Sequence, residues 1–251
     1  MTRLGDAGRG VALSFSWLTV LPVRSPSPID RRAAGRAITA APLTALVLGA
    51  GAAAIASAAS LTALPPLAVG LLVAAALALA SRGMHLDGLA DVADGLGVYG
   101  TPERTREVAR SGSSGPFAVV TLVVVLVLQA TAFGALASRG EYAAVALAVV
   151  VGRVSAVIGC RRGIPAATAS GFGALVAGTQ PWPVVVAWVL AAAAAGVAAA
   201  GWTGLAAVVV GLAVAEAAGT HAVRRFGGLV GDVLGAGIEL AVVAAALTVT
   251  M

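Results

Sequence analysis

Apolar residues follow one another in this chain in long runs that few charges interrupt. A helix needs about 20 mostly apolar residues to cross the hydrocarbon core of a bilayer. Only 11% of the residues are charged, whereas soluble domains carry about 25%, so the chain cannot cover a water-facing surface. It is therefore predicted to be an integral membrane protein, and a soluble globular domain is excluded.

The apolar runs predict an all-α, polytopic helix bundle of about seven spans (six to seven), in a single membrane domain over residues 1–251. No sustained alternation of the barrel type occurs, so helices must satisfy the backbone hydrogen bonds in lipid. The segment 163–181 is broken by Gly and Pro and is predicted to re-enter rather than cross. The predicted spans are 37–60, 65–81, 116–137, 142–159, 183–200, 203–220 and 234–251.

The arginines predict the orientation of the bundle, because cytoplasmic loops carry an excess of basic residues. With a cytoplasmic N-terminus, only Arg139 falls in an external loop and Arg153 lies inside a span. The basic residues are not clustered on a soluble domain, so no nucleic-acid partner is expected. All other arginines then fall in cytoplasmic segments: Arg3, Arg9, Arg24, Arg31, Arg32, Arg36, Arg82, Arg104, Arg106, Arg110, Arg161, Arg162, Arg224 and Arg225.

The N-terminal segment has some features of a signal peptide, since Arg3 and Arg9 lead into an apolar stretch at 11–23. A Pro-rich SPSP sequence stands where a small-residue cleavage site belongs. The segment is predicted to be retained and to lie in the membrane interface. The single cysteine, Cys160, excludes an intramolecular disulfide and a CxxC redox motif.

The longest polar stretch between two spans, residues 82–115, contains Asp87, Asp91 and Asp94. Their spacing of i, i+4 and i+7 places them on one face of a helix. Three carboxylates in a stripe repel one another, and a bound cation reverses that interaction. Mg²⁺ prefers one or two carboxylates together with phosphate oxygens and water. The stripe therefore predicts a metal-dependent site for a phosphorylated substrate, against the alternative of a solvated acidic face.

Residues around the stripe offer further candidates for the same site. His85 is a candidate general base or phosphate partner, or else an interfacial histidine. Thr101 followed by proline predicts the start of a short helix. On that helix Arg104 and Arg110 can clamp phosphates, or can instead fix the topology and pair with neighbouring glutamates. The turn at 111–115 offers backbone N–H groups to an anion.

A second polar cluster, residues 224–236, falls on the same predicted side of the membrane. Asp232 stands just outside the last span, and Glu239 lies about two turns into it. The glycines of this cluster, among them Gly228 and Gly231, allow the backbone to lie close to a phosphate or metal. Asp232 is therefore predicted to share one site with Asp87, as a metal ligand or as a partner that orients one.

Three motifs resemble the cobalamin synthase family, which is also called the adenosylcobinamide-GDP ribazoletransferase family. They are RGMHLDGLADVADGL at 82–96, ER at 103–104 and GGLVGDVLGA at 227–236. The stretch FSWLTVLPV at 15–23 resembles the amino-terminal pattern of the same family. One departure is the turn at 111–115, which reads SGSSG where many relatives have an Asp-Ser-Arg-x-Gly-like sequence.

The resemblance implies transfer of adenosylcobinamide-GDP to α-ribazole or its 5′-phosphate, with release of GMP and dependence on Mg²⁺. It implies a multi-pass protein of the cell membrane (inner or plasma membrane) with its active loop in the cytoplasm, and leaves room for a homo-oligomer or for association with other cobalamin-assembly enzymes. The expected site residues are Asp87, Asp91, Asp94 and His85 for catalysis; Asp87, Asp91, Asp94 and Asp232 for the metal; and Arg82, Arg104, Arg110, Gly228 and Gly231 for substrate.

Two other functions compete with this interpretation. The DxxDG element at 91–95 resembles the first half of the CDP-alcohol phosphotransferase motif, but the second half is absent. A phospholipid synthase of that kind is the alternative enzyme. A transporter should show repeated halves and carboxylates near the bilayer midplane. Here the acids concentrate in one loop and no clear repeat is visible, which disfavours transport.

Overall fold

A computed structural model of the protein describes residues 3–251. Within that range the chain forms eleven α-helices and no β-strand, which confirms the predicted all-α class. The helices are α1 Arg3–Leu18, α2 Arg31–Thr39, α3 Ala41–Ser60, α4 Pro66–Ala80, α5 Met84–Leu96, α6 Pro102–Ala109, α7 Pro116–Ser138, α8 Tyr142–Gly159, α9 Phe172–Val176, α10 Trp182–Phe226 and α11 Gly231–Thr250.

Five of these helices, α3, α7, α8, α10 and α11, are long and apolar enough to cross a membrane. Helices α4 and α5 also meet this test when they are taken together, although a bend of 92° separates them. The protein is therefore a multi-pass helical bundle, as the apolar runs predict.

The 45-residue helix α10 consists of two arms, 182–199 and 202–226, because the backbone leaves helical geometry at Ala200 and Gly201. Gly201 has a φ of +59°, which glycine adopts without steric cost. The arms fold back on each other so closely that a Cβ on Gly204 would lie 2.0 Å from the carbonyl oxygen of Gly196. With the two arms and α4 counted separately, seven apolar segments occupy the predicted spans.

Successive segments run in opposite directions, so the bundle has two distinct ends. At one end the hydroxyls of Ser60 and Tyr142 lie 2.7 Å apart; we call it the opposite end. The other end collects the segments 19–40, 80–115, 160–181 and 227–231, and we call it the polar end. Ala166 and Leu229 form an isolated β-bridge there.

The segment between α8 and α10 does not cross the bundle, as the sequence predicts. It leaves and returns at the polar end, because the Arg162 amide donates to Gln180 O at 2.9 Å and the Gln180 amide donates to Cys160 O at 2.9 Å. Within it lies the short helix α9, whose C-terminal carbonyls at Ala174 and Ala177 accept hydrogen bonds from Arg31.

Some predicted boundaries are wrong by several residues. The first span begins at Ala41 rather than 37, because the chain leaves α2 at Thr39 and restarts with a proline in the first turn of α3. The second arm of α10 continues to Phe226 rather than 220, and Gly227 ends it in the left-handed conformation, with φ +74°. The last helix starts at Gly231 rather than 234.

Helix α1 lies at the polar end and packs against α2 and α3. Its C-terminus is tied to the end of α4, because the Val20 amide donates to Ala80 O at 2.7 Å. Helix α1 is not among the helices long and apolar enough to cross a membrane, and retention of the segment stays a prediction.

Candidate active site

The aspartate helix α5 owes its direction to two residues in the left-handed conformation. Arg82 has a φ of +56° and Gly83 a φ of +70°. A non-glycine residue with positive φ is uncommon, so the surrounding packing must hold Arg82 in place. The resulting bend of 92° turns α5 across the polar end of the bundle instead of letting it continue α4.

Helix α5 crosses α11 at very short range, and this brings the two predicted motifs together. A Cβ on Gly88 would lie 2.9 Å from the Cα of Asp232, and a Cβ on Gly235 would lie 3.1 Å from the Cα of His85. The contact at Gly88 is shorter than real Cβ atoms show, and the contact at Gly235 is tighter than nine in ten of them, so glycine at these two positions permits the close crossing. Asp232 consequently lies beside the aspartates of α5.

Three carboxylates lie at this crossing, and their negative charges repel one another. Asp87 is exposed, while Asp91 and Asp232 are half-buried. Burial, followed by the charges of Asp232, Asp87 and Asp94, raises the pKa of Asp91 to about 6. The charges of Asp87 and of the Arg110 guanidinium act on Asp232 with opposite signs. A cation placed among these groups would relieve their mutual repulsion.

Asp94 has a different environment from the other two aspartates of the stripe. It is buried and accepts the backbone amides of Gly115 at 2.6 Å and Ala118 at 2.9 Å. Gly115 directly precedes α7, and Ala118 lies in its first turn, where backbone N–H groups have no partner within the helix. A negative charge is favourable at this end of a helix. The turn at 111–115 thus gives its last N–H to Asp94 rather than to a ligand.

Within residues 3–251, no group of three His, Cys, Asp or Glu side chains is arranged to hold a metal ion. A site made entirely of protein ligands is therefore not preformed. Mg²⁺ is commonly bound by one or two carboxylates, with substrate phosphates and water completing its shell. One or two of the carboxylates of Asp87, Asp91 and Asp232 would suit a metal that is shared with a phosphorylated substrate.

His85 lies behind the aspartates, on the side of α5 that faces α11. The imidazole is buried and its Nδ1 lies 3.7 Å from Glu239 Oε1. Its Nε2 has no hydrogen-bond partner among the described residues. Burial, and secondarily the charge of Arg153, lowers the pKa of His85, so the ring is neutral at physiological pH.

The arginines in α6 and at its C-terminus differ in whether they form salt bridges. The helix begins as predicted, with the Thr101 side chain accepting the Arg104 amide. Arg104 pairs with Glu107 at 2.8 Å, which is the structural alternative considered for it. Arg106 pairs with Glu103 at 2.7 Å. Arg110 forms no salt bridge with any residue in the described part of the chain, and its charge acts on Asp232.

The other predicted substrate-binding residues lie mainly against backbone atoms of the protein. Arg82 donates to the carbonyls of Ser16 at 3.1 Å and Trp17 at 2.8 Å, at the C-terminus of α1. A Cβ on Gly228 would lie 2.4 Å from the Ala167 amide nitrogen, so its close approach is to backbone. Gly231 is the first residue of α11.

Two cavities open at the polar end, and one of them is lined by carboxylates of the site. One, of about 350 Å³, is lined by Asp87, Asp232, His85 and Arg82 together with apolar side chains that include Trp17 and Phe172. The other is an open cleft over α6. Sequence reasoning missed Trp17 and Phe172 as site residues. Of the two, only Trp17 lies in a stretch with a family resemblance, FSWLTVLPV.

Comparison with known proteins finds one family model and many curated relatives. Residues 10–250 match the model described as cobalamin-5-phosphate synthase. A Nocardioides protein named adenosylcobinamide-GDP ribazoletransferase is 44% identical, covering 92% of this chain and 93% of the relative. Proteins of the same name from Corynebacterium efficiens (38%; 94% and 90% covered) and Pseudomonas syringae pv. syringae (37%; 96% and 98% covered) are also similar. No solved structure matches.

Proposed function

This chain belongs to the cobalamin-5-phosphate synthase family, and we propose that it transfers adenosylcobinamide phosphate from adenosylcobinamide-GDP to α-ribazole or its 5′-phosphate. The ribose hydroxyl of the acceptor attacks the phosphorus that carries the cobinamide. The pyrophosphate bond to GMP breaks, GMP leaves, and the hydroxyl proton is lost. The product is adenosylcobalamin or its 5′-phosphate.

The observation that supports this site is the convergence of α5 and α11 at Gly88 and Asp232. It places Asp87, Asp91 and Asp232 together with the Arg110 charge. Phosphoryl transfer depends mainly on positioning and on stabilising charge around the phosphorus. A cluster of acids beside an unpaired arginine is suited to both requirements.

We propose that one or two of the carboxylates of Asp87, Asp91 and Asp232 would hold Mg²⁺, with the pyrophosphate of the substrate and water completing its shell. Bound there, Mg²⁺ supplies Lewis-acid stabilisation of the phosphate charge. The carboxylates orient the pyrophosphate and Asp94 fixes the start of α7 beneath them. Arg110 neutralises the charge that develops on the leaving GMP.

The acceptor hydroxyl requires a base, and His85 is the proposed proton acceptor. It lines the cavity beside Asp87, and a neutral imidazole can take a proton. A carboxylate of the cluster is the alternative acceptor. Both place the base within the polar end, which we assign to the cytoplasm because most arginines lie there.

The test is an assay of the purified chain with adenosylcobinamide-GDP, α-ribazole and Mg²⁺, in which GMP and the corrinoid product are identified by mass. We expect stoichiometric release of GMP and cobalamin, and loss of turnover when Mg²⁺ is chelated. Absence of GMP release from folded protein would refute the activity. Turnover that persists in excess chelator would refute only the metal dependence.

A further inference from the structure

The cavity of about 350 Å³ beside Asp87 and Asp232 has an apolar interior and a charged rim. Its walls include the side chains of Trp17, Met84 and Phe172, and the two carboxylates stand at its edge. We call it the aromatic cavity. Pockets of this composition bind small ligands that are mostly apolar and carry a few polar groups.

The two aromatic rings of this cavity come from distant parts of the chain and are held in a fixed arrangement. Trp17 ends α1 and Phe172 begins α9, and their rings pack edge to face with centroids 5.1 Å apart and planes at 64°. The Arg82 guanidinium holds the carbonyl of Trp17 at 2.8 Å. The other ring lies beside the N-terminus of α11, where a Cβ on Gly231 would be in ordinary contact at 3.4 Å from Phe172.

The open cleft over α6, which we call the polar cleft, differs from the aromatic cavity in chemistry. It is lined by Arg106, Arg110, Ser111 and Thr168 together with two glutamates. Arg110 is the cation that acts on Asp232, and Asp232 also lines the aromatic cavity. The polar end therefore holds an apolar compartment lined by Asp87 and Asp232 and a separate polar compartment lined by Arg110.

We infer that the aromatic cavity binds the base of the acceptor nucleoside and that the polar cleft receives the guanosine nucleotide; this inference rests on the proposed function. The dimethylbenzimidazole base of α-ribazole is planar and apolar, and flat bases bind against aromatic side chains. A corrin macrocycle is too large for a cavity of about 350 Å³. The charged GMP requires the arginines of the polar cleft.

The two compartments have no lining residue in common. The attacking and leaving oxygens must lie roughly in line on opposite sides of the phosphorus. We accordingly assign the acceptor and the leaving nucleotide to separate compartments. Trp17 and Phe172 then determine which acceptor base the enzyme uses, without taking part in the chemical step.

The test compares the KM values of both substrates in variants of the two compartments. Trp17→Ala and Phe172→Ala should each raise the KM of α-ribazole about tenfold, because base stacking on an aromatic ring is lost. The KM of adenosylcobinamide-GDP should stay unchanged. Arg110→Ala should give the reverse pattern. Trp202→Phe, an exposed tryptophan of the opposite end, is the matched control and should change neither value.

The outcomes separate the inference from the proposed function. If an alanine variant fails to fold, Trp17→Phe and Phe172→Leu replace it, since each keeps an apolar side chain and should raise only the KM of α-ribazole. An unchanged KM of α-ribazole in folded variants, or a raised KM of adenosylcobinamide-GDP alone, would overturn the inference. Failure of the unmodified chain to release GMP would instead overturn the proposed function.

Discussion

At the scale of single residues, the aspartates of α5 divide into two kinds. Asp87 and Asp91 face the crossing with α11, whereas Asp94 accepts two amides at the start of α7. Residues with the same charge on one helix therefore perform different tasks. The first kind serves the proposed chemistry, and the second stabilises the fold that carries it.

The first prediction separates these tasks. Asp91→Asn should lower turnover about 100-fold or more, because a proposed metal ligand is lost, with little change in the unfolding temperature. Asp94→Asn should lower the unfolding temperature, because an amide nitrogen then faces a backbone N–H and about 1 kcal/mol of capping is lost. Turnover and thermal unfolding in detergent measure both effects. Asp6→Asn, whose carboxylate forms a surface pair with Arg36, is the acidic control and should alter neither.

A second prediction concerns the joint role of Asp87 and Asp232, which are far apart in sequence but line one cavity. If they act as one unit, Asp87→Ala and Asp232→Ala should be strongly non-additive in log turnover. The double variant should then be scarcely slower than the slower single variant. Fully additive losses, each with an unchanged Mg²⁺ titration, would show that the two carboxylates work separately.

At the scale of helices, a buried polar cluster connects the transmembrane bundle to the site. Gln129 of α7 donates to Glu239 Oε2 of α11 at 2.6 Å. The Arg153 side chain of α8 is buried in the same region and lines a small cavity with His85 and Glu239. Charges in such surroundings are tolerated only in opposite pairs. The cluster therefore fixes α11, and with it Asp232, relative to α7 and α8.

The third prediction tests whether the charges of Arg153 and Glu239, which line one small cavity without forming a salt bridge in the described part of the chain, compensate each other. Arg153→Met and Glu239→Gln should each destabilise the protein by about 3–5 kcal/mol, because each leaves one buried charge uncompensated. The double variant should unfold at a higher temperature than either single variant, since no unpaired charge remains. Thermal unfolding in detergent provides the comparison. If the two losses simply add, the side chains do not compensate each other.

How much of this arrangement the sequence could predict depends on the range of the interactions. Spans follow from local apolar composition, and α6 follows from its Thr101-Pro102 start, so both were predictable. The sharp bend at Arg82 and the capping by Asp94 depend on how α4, α5 and α7 pack. Periodicity alone cannot show that α7 starts beside Asp94. Trp17 and Phe172 meet only after the chain has folded, so no local pattern could pair them.

At the scale of the whole molecule, the two ends of the bundle differ in chemistry. The polar end gathers the proposed site residues and most of the arginines. The opposite end has short connections, where Arg139 donates to the Thr250 carbonyl at 3.1 Å. Because cytoplasmic loops carry an excess of arginine, we expect the polar end and the proposed site to face the cytoplasm.

The last prediction tests this orientation in intact cells. Cys160 is fully buried and gives little background labelling, so single cysteines can be introduced without removing it. Thr101→Cys at the polar end should resist an impermeant thiol reagent until the membrane is permeabilised. Leu61→Cys at the opposite end, where the side chain is 86% exposed, should react from outside at once. The reverse pattern would place the carboxylates outside the cell, away from the nucleotide substrate. That result would contradict the arginine distribution as a guide to topology and would leave the helix packing of the site unaffected.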